Sequence, residues 1–233
     1  MTYTANDPLA NIIWNALETT QRPLGLVSPL ARKYHRDIAP FGALAENSPQ
    51  AVAELRSLME AGEALYVIAE EPLAVVNGLK VEGSGGVAQM VFPQSAFLPE
   101  AGDETGIVPL ACSDSAEMLE LIAIAFPGFF RERTCVMGPY AGIRAEGRLV
   151  AMTGDRMALG DLREVSGVCT HPEFTGQGLA TKLILNKLRE HRRLGFRSFL
   201  HTGADNARAI RIYQRLGFIH TRVFTMQRVR RVG

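Results

Sequence analysis

The sequence predicts an α+β fold, a mixed sheet flanked by helices in an α/β sandwich. Three observations carry that expectation. Apolar residues recur at helical spacing in four segments, β-branched runs of strand length lie between them, and glycine or proline marks most of the junctions. The 233 residues, 47% hydrophobic and 21% charged, suffice for one large core or two small ones. Collagen-like, disulfide-scaffold and disordered classes are excluded.

In the first hundred residues, Ser48 and Pro49 read as an N-cap and first helical residue. AVAELRSLMEA supplies a helical body and Gly62 a stop, predicting a helix over 49–61. LYVIA (65–69), LAVVNGLKV (73–81) and VAQMVF (87–92) read as short strands separated by turn residues. This half reveals no chemistry. The stretch PQSAFLPEAGDETG (93–106) gathers proline, glycine and acidic residues as a linker does. It sets a boundary near residue 100, with an N-terminal α+β domain over 1–100 of no assigned role and a second domain over 105–233.

After the linker, Asp114 and Glu117 resemble a capping arrangement opening the helix SAEMLELIAIAF, which must stop near Pro127. YAGIR, LVAMTGDRMAL and EVSGVCT read as three strands with hairpin-length connections. The period then changes. From 177 to 194, Leu179, Ala180, Leu183, Ile184 and Leu188 recur at helical spacing, and Gly195 is placed as a stop. A strand RSFLHT, a helix NARAIRIYQRL closed by Gly217 and a strand FIHTRVFTMQRV follow. Antiparallel neighbours thus meet a β-α-β crossover, expected to be right-handed.

No apolar run approaches the roughly 18 residues of a membrane span, and MTYTANDPLA lacks the basic start and apolar stretch of a secretory signal. A cytoplasmic protein with no membrane partner is expected. Cys112, Cys135 and Cys169 are odd in number and widely spaced; neither a zinc pattern nor a disulfide framework is available, and reduced thiols with no bound metal fit best.

The net charge of +1 conceals an asymmetry. Residues 182–233 carry 13 Lys and Arg against Glu190 and Asp205, whereas the first 181 carry 12 against 22 acidic residues. A polyanionic ligand near the C-terminal third is one reading, and a solvated arginine face the other. Nucleic-acid binding is disfavoured, because arginines and aromatics there alternate with apolar helix positions and form no aromatic-lined basic strip.

The most informative segment is EVSGVCTHPEFTGQGLATKL (164–183). A strand ends at Thr170, Pro172 prevents its continuation, and a glycine-containing turn leads into a helix N-terminus. Unpaired N–H groups and the helix dipole favour an anion at such a place. A Walker loop fails, since Thr181, Lys182 and Leu183 follow Gly176 without the second glycine or the hydroxyl. A dinucleotide fingerprint fails too, with Thr181 as its third position and a hairpin upstream.

Thr175-Gly176-Gln177-Gly178-Leu179-Ala180 resembles the acyl-CoA signature [RQ]-x-x-G-x-[GA] of the GCN5-related N-acetyltransferases (GNAT), and within them the FR47-like branch. It matches at Gly178 and Ala180 and departs at Thr175. ADNARAIRIYQRLGF (204–218) is similar to the second signature of that family, with Asn206 as helix cap and Tyr213 ahead of Gly217 and Phe218. The resemblance covers roughly 105–230.

It implies a GNAT-like central mixed sheet and acetyl-CoA as acyl donor. The strand edge at Val168, Cys169 and Thr170 would align the thioester, the turn through Gly176, Gln177, Gly178, Leu179, Ala180 and Thr181 would hold the pyrophosphate, and arginines of the following helices would suit the remaining phosphate. An N-acetyltransferase acting by direct amine attack in a ternary complex follows, with Glu164 as candidate general base and Tyr213 as acid for the departing thiolate. A non-catalytic acyl-CoA-binding regulatory module is the alternative, motivated by Thr175. The acceptor is a small-molecule or peptide amine. The first hundred residues shape either its pocket or an interface such as that of a homodimer.

Other residues have bland readings beside tempting ones. His171 fits a turn, Cys169 a packed strand thiol and His201 a satisfied strand residue. Trp14, Phe129 and Phe130 could line an acceptor pocket, though core packing is their default.

Overall fold

A computed structural model describes residues 7–74, 78–100, 102, 104–125 and 127–233. Among them the chain forms α1 (Ile12–Glu18), β1 (Gly25–Val27), β2 (Ala31–Tyr34), β3 (Phe41–Leu44), α2 (Pro49–Leu58), β4 (Ala64–Ala69), β5 (Leu79–Val91) and β6 (Ile107–Leu110). Then follow α3 (Ser115–Ala125), β7 (Tyr140–Ala145), β8 (Arg148–Leu159), β9 (Leu162–Thr170), α4 (Leu179–Arg193), β10 (Arg197–Gly203), α5 (Ala207–Arg215) and β11 (Ile219–Arg231). The strands make one mixed sheet in the order β1-β2-β3-β4-β11-β5-β10-β9-β8-β7-β6. Among the described residues only β3–β4 and β9–β10 pair in parallel.

Strand β5 precedes the linker yet lies between β10 and β11, so the seam near residue 100 does not coincide with a break in the sheet. The linker itself is strapped to α4: Arg189 pairs with Glu104, and Arg192 donates to the carbonyls of Gln94 and Ala96.

Local rules account for most elements. Ser48 Oγ accepts the Ala51 N–H at 3.2 Å, as an N-cap should, and Pro49 occupies the first helical position. The helix stops at Leu58, short of the expected 61. Helices α3 and α4 cover opposite faces of β7–β9. Met118, Leu121 and Ile122 of α3 pack with Tyr140, Met152 and Cys169, while Leu183 of α4 packs with Ala141, Ile143 and Val150. Each such aliphatic side chain contributes about 1.5–3 kcal/mol on burial.

Several further expectations are corrected. The separate strands over 73–81 and 87–92 are replaced by β5, which runs unbroken through Gly83, Gly85 and Gly86 because β11 pairs alongside it from Leu79 to Val91. Pairing overrides the local turn preference of those glycines; residues 75–77 of the earlier run lie outside the described residues, as does Phe126. The capping arrangement is different too. Asp114 accepts the Ala111 N–H at 2.8 Å, and with Glu117 it grips Arg144.

The cysteines are not all free. Cys112 and Cys135 form a disulfide with Cα atoms 5.3 Å apart, joining the start of α3 to the turn before β7; Cys169 alone is free and buried. Tertiary approach across 23 residues, invisible in spacing, decides the pairing, and closing such a loop stabilises the fold by about 3 kcal/mol in the chain-entropy account.

Part of the basic C-terminal third is engaged within the molecule. Arg222 pairs with Asp7, Arg228 and Arg230 with Glu82, and Arg197 with Asp161. Part of the charge asymmetry is therefore long-range ion pairing between the two stretches. No helix among the described residues is long and apolar enough to cross a membrane.

Candidate active site

Strands β9 and β10 pair only from Leu162 to Glu164. Beyond that point β10 turns to β5, pairing from Phe199 to Gly203, while β9 continues to Thr170 on β8 alone. The two strands splay, and a cleft of about 500 Å³ opens between them. A bulge sharpens the divergence. Met152 faces Cys169 and Gly154 faces Ser166, leaving one extra residue on β9. Gly167 there sits at φ +61, where a Cβ would lie 3.1 Å from the Tyr140 ring, so only glycine fits without strain.

One end of the cleft is made of backbone. After Thr170 the chain turns through His171, whose Nδ1 accepts the Glu173 N–H, and Thr175 Oγ1 donates to the Pro172 carbonyl at 2.9 Å. Gly176 and Gly178 follow at φ +82 and +77, with open space on their Cβ sides. The first α4 hydrogen bond is Lys182 N–H to Gly178 O, which leaves the preceding N–H groups facing outward at the positive end of the helix. Thr175 and Ala180 line the cleft beside this turn. Opposite them, Asn206 Oδ1 accepts the Ala209 N–H at 3.0 Å and caps α5, which places Arg208 and Tyr213 on the cleft wall. Burial pushes the Tyr213 hydroxyl up to about 12, so it stays protonated at neutral pH.

The sequence-predicted residues Val168, Cys169, Thr170, Thr175, Gly176, Gln177, Gly178, Leu179, Ala180, Thr181, Asn206 and Tyr213 are thus gathered along the splayed edge, the turn and α5. Cys169 contributes backbone only. Its side chain packs toward α3, and burial raises its thiol to about 12, which fits the packed-thiol reading. The strip also suits an acyl-CoA. Thr170 Oγ1, beside the unpaired edge, is buried without a hydrogen-bond partner among the described residues. The turn offers N–H donors with no side chain in the way.

Glu164 is the exception and a correction. It is fully buried and does not line the cleft. Arg156 grips it side-on, Nε to Oε2 at 2.8 Å and Nη2 to Oε1 at 2.6 Å, and His201 Nδ1 lies 2.8 Å from Oε1. Burial alone would raise its pKa, but the Arg156 charge and hydrogen bonds, with His201, outweigh it and hold the carboxyl at about 2. So weak a base, with both oxygens engaged, is unsuited to take a proton from an amine. It anchors the wall instead.

The other end of the cleft was missed by sequence reasoning except for Phe129. Phe41 of β3, Ile68 of β4 and Met226 of β11 converge there with Phe129 and Arg156. Nothing local in the sequence marks these positions, since they meet only through sheet order. Phe130 is buried in the α3 core, and Trp14 lies under the Arg32 guanidinium at 3.6 Å, outside the cleft. His201 is satisfied as expected, with Gln89 Nε2 3.1 Å from its second nitrogen.

Comparisons with known proteins agree with this geometry. The model of the acetyltransferase (GNAT) family matches residues 111–218. A crystal structure from Novosphingobium aromaticivorans, assigned to acetyltransferases of the GNAT family, is 35% identical, with 98% of this chain and all of that one covered at a TM-score of 0.89. A GCN5-related N-acetyltransferase from Kribbella flavida is 18% identical over 95% of each chain at 0.62. A related protein from Streptococcus suis is 14% identical over 94% and 92% at 0.61; these last two bear on the fold alone. A search of curated proteins gives no match.

Proposed function

Since the chain belongs to the GNAT acetyltransferase family, we propose that it moves an acetyl group from acetyl-CoA to an amine acceptor by direct attack in a ternary complex. The single observation that carries this is the splay of β9 from β10, which leaves a strand edge and a glycine turn side by side. Bound acetyl-CoA supplies an activated thioester carbonyl. The β9 edge from Val168 to Thr170 pairs with amides of the flexible arm, and the N–H groups of residues 176–181 hold the pyrophosphate. Arg208, on the wall and without an ion-pair partner among the described residues, suits the remaining phosphate.

The acceptor enters from the far side and must arrive as a neutral amine. With Glu164 engaged by Arg156 and His201, the amine sheds its proton to water in the open cleft. Tyr213, kept protonated by burial, donates to the departing sulfur. The internal ion pairs of the C-terminal arginines support a small partner over a nucleic acid. We place the reaction in the cytoplasm, where acetyl-CoA and free amines meet.

The engagement of Glu164 also favours a second reading, a non-catalytic acyl-CoA-binding module. One experiment separates the two. Calorimetry with acetyl-CoA is paired with an assay of free CoA thiol across an amine panel. Binding with release supports transfer, binding without release supports the module, and no binding ends both.

A further inference from the structure

The far end of the cleft has one cation set in an aromatic wall. Phe41 and Phe129 stack at 5.9 Å with planes 7° apart, and Tyr66 closes on Phe129 at 4.7 Å. The Arg156 guanidinium lies 4.7 Å over Phe41. Its Nε and Nη2 are taken by Glu164. Its remaining edge, Nη1 with the second hydrogen of Nη2, has no partner among the described residues, and Nη1 is not among the orphaned buried atoms. That edge therefore meets the cleft, which Arg156 lines.

The surrounding charges favour an anion there. Among the described residues that line the cleft the one carboxylate is Asp205, on the α5 side. Behind the wall, Arg131 lies near Tyr66 and Arg228, and desolvation lowers its pKa. Glu164 already cancels much of the Arg156 charge, so a monoanion with planar geometry suits the free edge better than a phosphate.

We propose that the acceptor carries a carboxylate beside its amine and an apolar or aromatic side chain, as a free amino acid does, and that the Nη1–Nη2 edge of Arg156 holds that carboxylate. The proposal rests on the acetyl-transfer reading above. Phe41, Ile68, Phe129 and Met226 take the side chain, and the bound carboxylate points the amine toward the splayed edge.

The test compares L-phenylalanine with phenethylamine, the same amine without the carboxylate, by CoA-thiol release, with kcat/KM expressed per neutral amine. Loss of hydrogen bonds to a charged group predicts that L-phenylalanine exceeds phenethylamine roughly 10- to 100-fold. Arg156→Lys, which keeps a cation for Glu164, is expected to raise KM for L-phenylalanine and narrow that ratio, with folding followed by thermal unfolding. If phenethylamine reacts as well as L-phenylalanine, this proposal falls while acetyl transfer stands. If acetyl-CoA binds but no amine releases CoA, the transfer reading falls and takes this one with it.

Discussion

The two ends of the cleft are built by different means. The end proposed for acetyl-CoA is a backbone device: an unpaired β9 edge, two glycines at φ +82 and +77 and a helix start, all within one run of sequence. The far end is a side-chain device assembled from β3, β4, β11 and the segment after α3, held by a buried Arg156–Glu164–His201 cluster. A backbone device tolerates side-chain change but not loss of glycine; a side-chain device depends on charges that must stay matched.

The largest effect should come from unmatching those charges. Glu164→Gln leaves the buried Arg156 without its counter-ion and should cost about 3–5 kcal/mol, read by denaturant unfolding. The pH dependence follows with a fixed sign. A carboxyl at about 2 when folded, against an ordinary 4.5, contributes stability that is full above 4.5 and is lost as pH falls toward 2. The wild-type protein should lose stability across that window and Glu164→Gln should lose less. An equal acid response in both proteins would show that Glu164 does not carry it.

At the backbone end, Gly178→Val forces a β-branched residue into a left-handed conformation at the mouth of the N–H cradle. Acetyl-CoA affinity should fall roughly 100-fold, while unfolding changes less than in Glu164→Gln. Tyr213→Phe sharpens the contrast further. It keeps the ring packed 5.8 Å from Phe218 and removes only the hydroxyl that donates the proton, so kcat should drop roughly tenfold or more with little change in acetyl-CoA binding. Unchanged kcat would remove Tyr213 from the chemistry.

The same contrast explains what could be read beforehand. The run 164–183, the caps at Ser48 and Asn206 and the helix stop at Gly195 are local instructions, and the structure follows them. Phe41, Ile68 and Met226 carry no such mark, because their strands are remote in sequence from β9 and meet at the cleft only through the long-range order of the sheet, in which β3 pairs with β4 and β4 with β11. The Cys112–Cys135 bond and the pairing of Arg222 with Asp7 are likewise products of long-range approach. Glu164 shows the intermediate case. Its position at the head of β9 was legible, but its role was set by Arg156, eight residues earlier on a neighbouring strand, and by His201 on β10.

Amide hydrogen exchange with and without acetyl-CoA tests the backbone device most directly. Ligand should slow exchange at residues 168–170 and 176–181, with the far wall around Phe41 and Ile68 little changed. Tight binding that leaves those amides unprotected would contradict a site made from the β9 edge and the glycine turn.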